Sequence, residues 1–193
     1  MSKHKYHKKR KQQNNISAMI GAGLVVVGIA LLLLLTQKQP TAQASSSEFS
    51  VTPMEVDFAA PELALQNLEG QTQSIADFAG NVVLVNNWAT WCPPCKAEMP
   101  SLKKFHDVHA QDGFTVIAVE AGDGLDEVQA FAKSFGLTFP VWLDPNGAAL
   151  NAFRNANLPN SYVIDRTGTV RLAWTGQISL TMLEKYVTPL IAE

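Results

Sequence analysis

Cysteine is almost absent from this 193-residue chain: there are two, Cys92 and Cys95, separated by two prolines. That excludes a disulfide-dense scaffold. Acid is missing from the whole N-terminal stretch, since no Asp or Glu precedes Glu48, while seven of the 15 Lys and Arg lie before residue 39. The net charge of −2 therefore averages a leader of +7 and a remainder in which eight cations face 17 anions. No G-x-G-x-x-G loop occurs, so the chain carries no dinucleotide fingerprint of its own. With 47% hydrophobic and 17% charged residues, a collagen-like or wholly disordered chain is also excluded.

Charge is absent again from Ile16 to Leu35, ISAMIGAGLVVVGIALLLLL, a run of 20 residues with one hydroxyl. At about 1.5 Å per helical residue it spans roughly 30 Å, the thickness of a bilayer's hydrocarbon core. Six Lys or Arg stand within the first eleven residues, and only Lys38 follows the run closely. Such asymmetry keeps the N-terminus cytoplasmic and sends the rest across the membrane. The expected organisation is a basic cytoplasmic tail over 1–15, a transmembrane signal-anchor over 16–35, a polar linker over 36–50 and an extracytoplasmic domain over 51–193. This makes a single-pass protein of the cell membrane. Nucleic acid is another use for a basic tail, but its adjacency to the apolar run makes topology the simpler account. A cleaved signal peptide is the alternative: Ala42-Gln43-Ala44 resembles a processing site, although the apolar core of such peptides is usually only about 7–15 residues.

Within 51–193 the pattern alternates. Leu63–Leu68 and Gln71–Ser74 predict a hairpin across Glu69-Gly70, and Ile75–Phe78 one helical turn. Val82–Asn87 and Phe114–Val119 are continuous apolar or β-branched runs, as in strands buried on both faces. Cys95 to about Ala110 places Met99, Leu102, Phe105 and Val108 on one side of a helix, with Pro100 as a kink. A helix over Asp126–Phe135 stops at Gly136; a strand follows over Val141–Leu143 and a short helix over Ala148–Arg154. Tyr162–Asp165 and Val170–Thr175 form a hairpin, and Leu180–Ile191 a closing helix. Strands separated by helices call for a parallel core, and the terminal hairpin adds antiparallel strands. The class is α/β, a mixed central sheet with helices on both faces.

Trp88-Ala-Thr-Trp-Cys-Pro-Pro-Cys95 follows a buried strand and opens a helix. A sulfur there sits at the positive end of the helix dipole near unpaired N–H groups, which favours its thiolate. Cys92, at the tip of the turn, is expected to be the exposed sulfur. Cys95, one turn inward, is close enough to close a disulfide. Cys92 would attack a substrate disulfide and Cys95 would resolve the mixed disulfide. Pro93 and Pro94 offer no N–H, so fewer donors face the thiolate and the pair is expected to be reducing rather than strongly oxidising. Trp88 reads as core, and Trp91, beside Cys92, as a partly exposed docking platform. A structural disulfide is a poorer account, because a bridge closing so short a loop constrains little chain entropy. A zinc site of Cys92, Cys95, His106 and His109 fails on reach: the histidines lie roughly 16 Å or more along the same helix from Cys95.

The segment NVVLVNNWATWCPPCKAEMPSL resembles the active-site segment of the TlpA/ResA-like thioredoxin-fold proteins, which are membrane-tethered thiol–disulfide reductases. Leu137–Gly147 (LTFPVWLDPNG) resembles their strand and turn, Leu158–Asp165 (LPNSYVID) their segment around a cis-proline, and Gly168 their final hairpin. The resemblance implies a thioredoxin-like fold. It implies that Pro159 is the cis-proline facing the disulfide and that the backbone of Leu158 pairs with a substrate chain. Together with Trp91, Pro93 and Pro94 these are the candidate substrate-binding residues. Asn86 stands where thioredoxin has a proton-moving Asp and cannot replace it. Glu98, one turn after Cys95, matches an acidic residue of ResA-like members and becomes the candidate proton acceptor; the plain alternative is a solvated helix residue. Asn160-Ser161 and the bulk of Leu158 depart from the family's pattern, which bears on substrate preference.

The resemblance further implies disulfides of exported proteins as substrates and a membrane thiol-electron donor of the CcdA/DsbD kind as partner. Cytochrome c and oxidase maturation are the implied settings. The expected protein is a monomer that takes no nucleic acid, no metal and no cofactor beyond the redox-active Cys92–Cys95 disulfide. The alternative is a copper-binding chaperone module on the same fold, separable by measuring copper binding against insulin reduction. A peroxidase of this fold would need a Pro-x3-Thr-x2-Cys pattern, which the sequence lacks.

Overall fold

The computed structural model describes residues 50–193. Its strands are β1 (Met54–Ala59), β2 (Ala64–Asn67), β3 (Thr72–Ser74), β4 (Val82–Trp88), β5 (Phe114–Glu120), β6 (Val141–Leu143), β7 (Asn160–Ile164) and β8 (Thr169–Thr175). Its α-helices are α1 (Pro93–His109), α2 (Leu125–Phe135), α3 (Ala148–Ala152), α4 (Leu180–Tyr186) and α5 (Thr188–Ile191). The expected tail and membrane span lie outside the described residues, as does the linker apart from Ser50. Among the described residues no helix is long and apolar enough to cross a membrane.

One sheet runs in the order β1-β8-β7-β4-β5-β6-β2-β3. β4, β5 and β6 are parallel, and the remaining pairings are antiparallel. The mixed α/β sheet expected from the alternating pattern is therefore present. β4 is buried at all seven positions, and side-chain alternation divides it between two cores. Val82, Leu84 and Trp88 join Met99, Leu102 and Phe105 of α1, Val128 of α2 and Leu183 of α4. Val83 and Val85 join Ala149, Phe153, Tyr162 and Ile164 on the other face, beside α3. The C-terminal end of β4 thus reaches the surface between two packed layers, where a parallel sheet presents its site.

Three local expectations are corrected, and one strand was not expected. β1 escaped sequence reading because it is an edge strand exposed at nearly every position, so it shows no alternation. α1 begins at Pro93, two residues earlier than expected, because proline is suited to a helix's first turn. Val108 is 63% exposed rather than on the buried side, which belongs to Cys95, Glu98, Met99, Leu102, Phe105 and His106. The closing helix breaks at Val187 into α4 and α5, because Pro189 has no N–H to continue the ladder.

Candidate active site

β4 ends at Trp88, whose side chain is fully buried, and Ala89-Thr90-Trp91 turn the chain toward α1. Cys92 is the N-cap of α1 and its extended backbone (φ −88°, ψ 108°) sets the helix's first turn. The next two residues are the prolines, so the first backbone N–H available in the helix is that of Cys95. It donates to Cys92 Sγ at 3.3 Å. Cys92 and Cys95 are joined in a disulfide with their Cα atoms 5.3 Å apart. Cys92 is only 4% exposed, a correction to the expected exposed sulfur. With its sulfur bonded inward to Cys95, exposure at the rim falls to Trp91, at 64%, and to Pro93 and Pro94.

Glu98 lies one turn beyond Cys95 on the same side of α1 and is fully buried, not solvated. Asn86 Nδ2 donates to its Oε1 at 2.8 Å, and the Ile178 N–H donates to its Oε2 at 3.1 Å. Burial opposes its charge more strongly than these two donors favour it, and its pKa is pushed up to about 8. Asn86 also donates to Ser161 Oγ at 2.9 Å, which links this carboxyl to β7. Asn86, which carries no titratable proton, thus fixes the orientation of the Glu98 carboxyl.

A second buried carboxyl lies on the other side of the loop. Glu120 is the β5 partner of Trp88, is fully buried, and accepts from the Asp123 N–H at 2.9 Å. Burial, then the neighbouring Asp123 carboxyl, push its pKa up to about 8. Asp123 Oδ2 accepts from both the N–H and the hydroxyl of Thr90, at 2.9 and 2.7 Å. The two acids thereby pin the loop two residues before Cys92. Neither was singled out from sequence, and the signal available was faint: an acid closing an otherwise apolar strand.

The Leu158–Pro159 peptide is cis. Pro159 is buried, and its carbonyl accepts from the Gly176 N–H at 2.8 Å. Leu158 is half-buried and packs against the core that contains both cysteines. Pairing of Asn87 with Asn160 places this turn at the same end of the sheet as the disulfide. His106 and His109 stay apart from the cysteines; the first contacts Thr138 and the second Asp112. Among the described residues, no three His, Cys, Asp or Glu converge as a metal site would require. A cleft of about 730 Å³ lined by Leu63, Ile75, Phe78 and Ile164 lies toward the opposite end of β4 and holds none of these residues.

The signature of the AhpC/TSA family matches residues 56–173. The thiol-disulfide oxidoreductase ResA of Geobacillus thermodenitrificans (strain NG80-2) is 34% identical over 164 residues, 85% of this chain and 94% of its own length. The thioredoxin-like protein YneN of Bacillus subtilis (strain 168) is 36% identical over 65% of this chain and 75% of its own. Among solved structures, a thiol:disulfide interchange protein of the thioredoxin family from Chlorobium tepidum TLS superposes with a TM-score of 0.65 at 27% identity. It covers 72% of this chain and 99% of that one.

Proposed function

We propose, for a chain that belongs to the AhpC/TSA family and is a thiol–disulfide oxidoreductase of the ResA type, that it is anchored in the cell membrane and reduces disulfides of exported proteins outside the cytoplasm. The observation that carries this reading is a Cys92–Cys95 disulfide at a helix N-terminus with a buried carboxyl one turn behind it. In the reduced protein the Cys92 thiolate attacks one sulfur of a substrate disulfide and expels the other as a thiolate. Glu98, as carboxylate, takes the proton of the Cys95 thiol. Cys95 then attacks Cys92 Sγ, which releases the second substrate thiolate and leaves the Cys92–Cys95 disulfide. Two electrons pass to the substrate, and a membrane thiol donor of the CcdA/DsbD kind returns two. In that return Glu98 gives its proton back to Cys95, and a carboxyl with a pKa near the working pH serves both directions.

Trp91, Pro93, Pro94, Leu158 and Pro159 line the rim that a polypeptide would meet, with Leu158 offering its backbone. Haem-attachment cysteines of cytochrome c and copper-centre cysteines of an oxidase are the substrate classes in view. The uncharged run at 16–35 and the cations before it support the anchoring.

Cys95→Ser in the native membrane tests the reading. The variant should accumulate a mixed disulfide between Cys92 and an exported protein, visible as a species that collapses on reduction. If Cys92 remains freely alkylated and no adduct forms, the reductase assignment fails.

A further inference from the structure

Two buried asparagines, Asn87 and Asn160, take no part in the chemistry above. They are cross-strand partners on the α3 side of the sheet, opposite to Asn86, Ser161 and Glu98. Both are fully buried. Asn87 Nδ2 donates to Asn160 Oδ1 at 2.8 Å. With its oxygen so occupied, the Asn160 amide must turn its nitrogen outward. Its Nδ2 donates to the carbonyl of Asn157 at 2.6 Å and to that of Asn155 at 3.4 Å. The segment from Asn155 to Leu158 belongs to no helix or strand, and it leads directly into Pro159. Asn155 is itself tied down, donating to Thr175 Oγ1 at 2.9 Å and accepting from the Asn157 N–H at 3.1 Å.

As a purely stabilising contact the pair is poorly built. Asn87 Oδ1 is buried with no partner among the described residues. A buried acceptor left unpaired costs stability, and apolar side chains of the same shape would avoid that cost. What the pair does provide is direction. It draws two carbonyls of an irregular segment onto one amide and so holds the segment's backbone in a single shape.

We propose that Asn87 and Asn160 are positioning residues that hold Asn155–Leu158 in the conformation that receives a polypeptide, setting a preference for polypeptide disulfides over small ones. The inference rests on the reading of Leu158 as a substrate-binding residue. A small disulfide needs only the sulfur of Cys92, whereas a polypeptide must also lie along the segment before Pro159. Loss of the clamp should therefore weaken binding of one and leave the other untouched.

The test uses the full chain in detergent, pre-reduced and freed of reductant, with oxidation followed in single turnover. The probes are insulin and bis(2-hydroxyethyl) disulfide, which has no peptide backbone. Asn160→Ala should raise the half-saturating insulin concentration about fivefold or more, with the limiting rate and the small-disulfide rate within about twofold of wild type. An unchanged insulin saturation curve overturns the proposal, and so does a parallel loss with both probes. Should Asn160→Ala fail to fold by circular dichroism, Asn87→Ala, which frees the Asn160 amide without removing it, is judged by the same criteria. A wild-type chain that reduces the small disulfide but not insulin overturns the clamp alone. Failure of wild type with both overturns the proposed function, and the clamp with it.

Discussion

At the scale of single residues, Glu98 shows how burial changes what a side chain can do. A carboxyl at a helix surface is ionised and idle near neutral pH. Here it is enclosed between α1, Asn86 and the backbone of Ile178, and its pKa rises to about 8. The native state then keeps a proton that the unfolded chain releases near 4.5, so stability falls as pH rises from about 4.5 to about 8 and levels off above. Glu98→Gln should remove its share of that decline and leave the share of Glu120, whose pKa is also about 8, as read from urea unfolding of the oxidised protein at pH 5 and pH 9. The same variant should slow the resolving step by about 10²-fold near neutral pH and replace the carboxyl's titration in its pH profile with that of the Cys95 thiol alone. Equal loss at every pH, with stability still falling as before, would assign Glu98 a structural role only. None of this was legible locally. The spacing from Cys95 put Glu98 on the right side of the helix, but its burial depends on residues 12 and 80 positions away in the chain.

At the scale of elements, turns distant from the disulfide hold one end of the inner strands together through one side chain. Arg166, in the β7–β8 turn, donates to the carbonyls of Gly80, Asp112, Gly113 and Ile191. It joins the turn before β4, the turn before β5 and the end of α5. Gly113 makes room for it: its φ is 77°, and a Cβ there would meet the guanidinium Nη1 at 2.7 Å. Arg166→Ala should lower stability by about 2–3 kcal/mol, the scale of hydrogen bonds to a charged donor with partly buried acceptors. A shift of the urea midpoint with an unchanged slope is the expected signature. Insulin reduction at temperatures well below the transition should be preserved, because the contacts lie at the far end of the sheet. Most elements were legible because β4, β5, α1 and α2 each carry a pattern matched to their period. β1 was not, since an edge strand exposed on both faces has no apolar alternation to read. The break at Val187 was readable in principle from Pro189 and was missed because the apolar spacing runs on through it.

For the whole molecule, the uneven charge is the leading feature. Seven cations and no anions precede residue 39, and the remainder is net −9. If the uncharged run at 16–35 is the anchor, the chain should stay in the membrane pellet after an alkaline carbonate wash, and deletion of residues 1–35 should move it to the soluble fraction. Full release of the undeleted chain would refute the anchor and leave the thiol chemistry standing.

The sequence by itself determined the chemistry of the pair. Two cysteines and two prolines between a buried strand and a helix are covalent neighbours, so their spacing and their place at a helix N-terminus follow from local periodicity. The long-range assembly decided what surrounds them: the enclosure of Glu98, the acids that pin Thr90, and the asparagines beneath the Asn155–Leu158 segment. A polar side chain in a strand or helix carries no local mark of whether its partner arrives from 12, 33 or 73 residues away. That is settled only when the sheet closes and removes water from both sides of it.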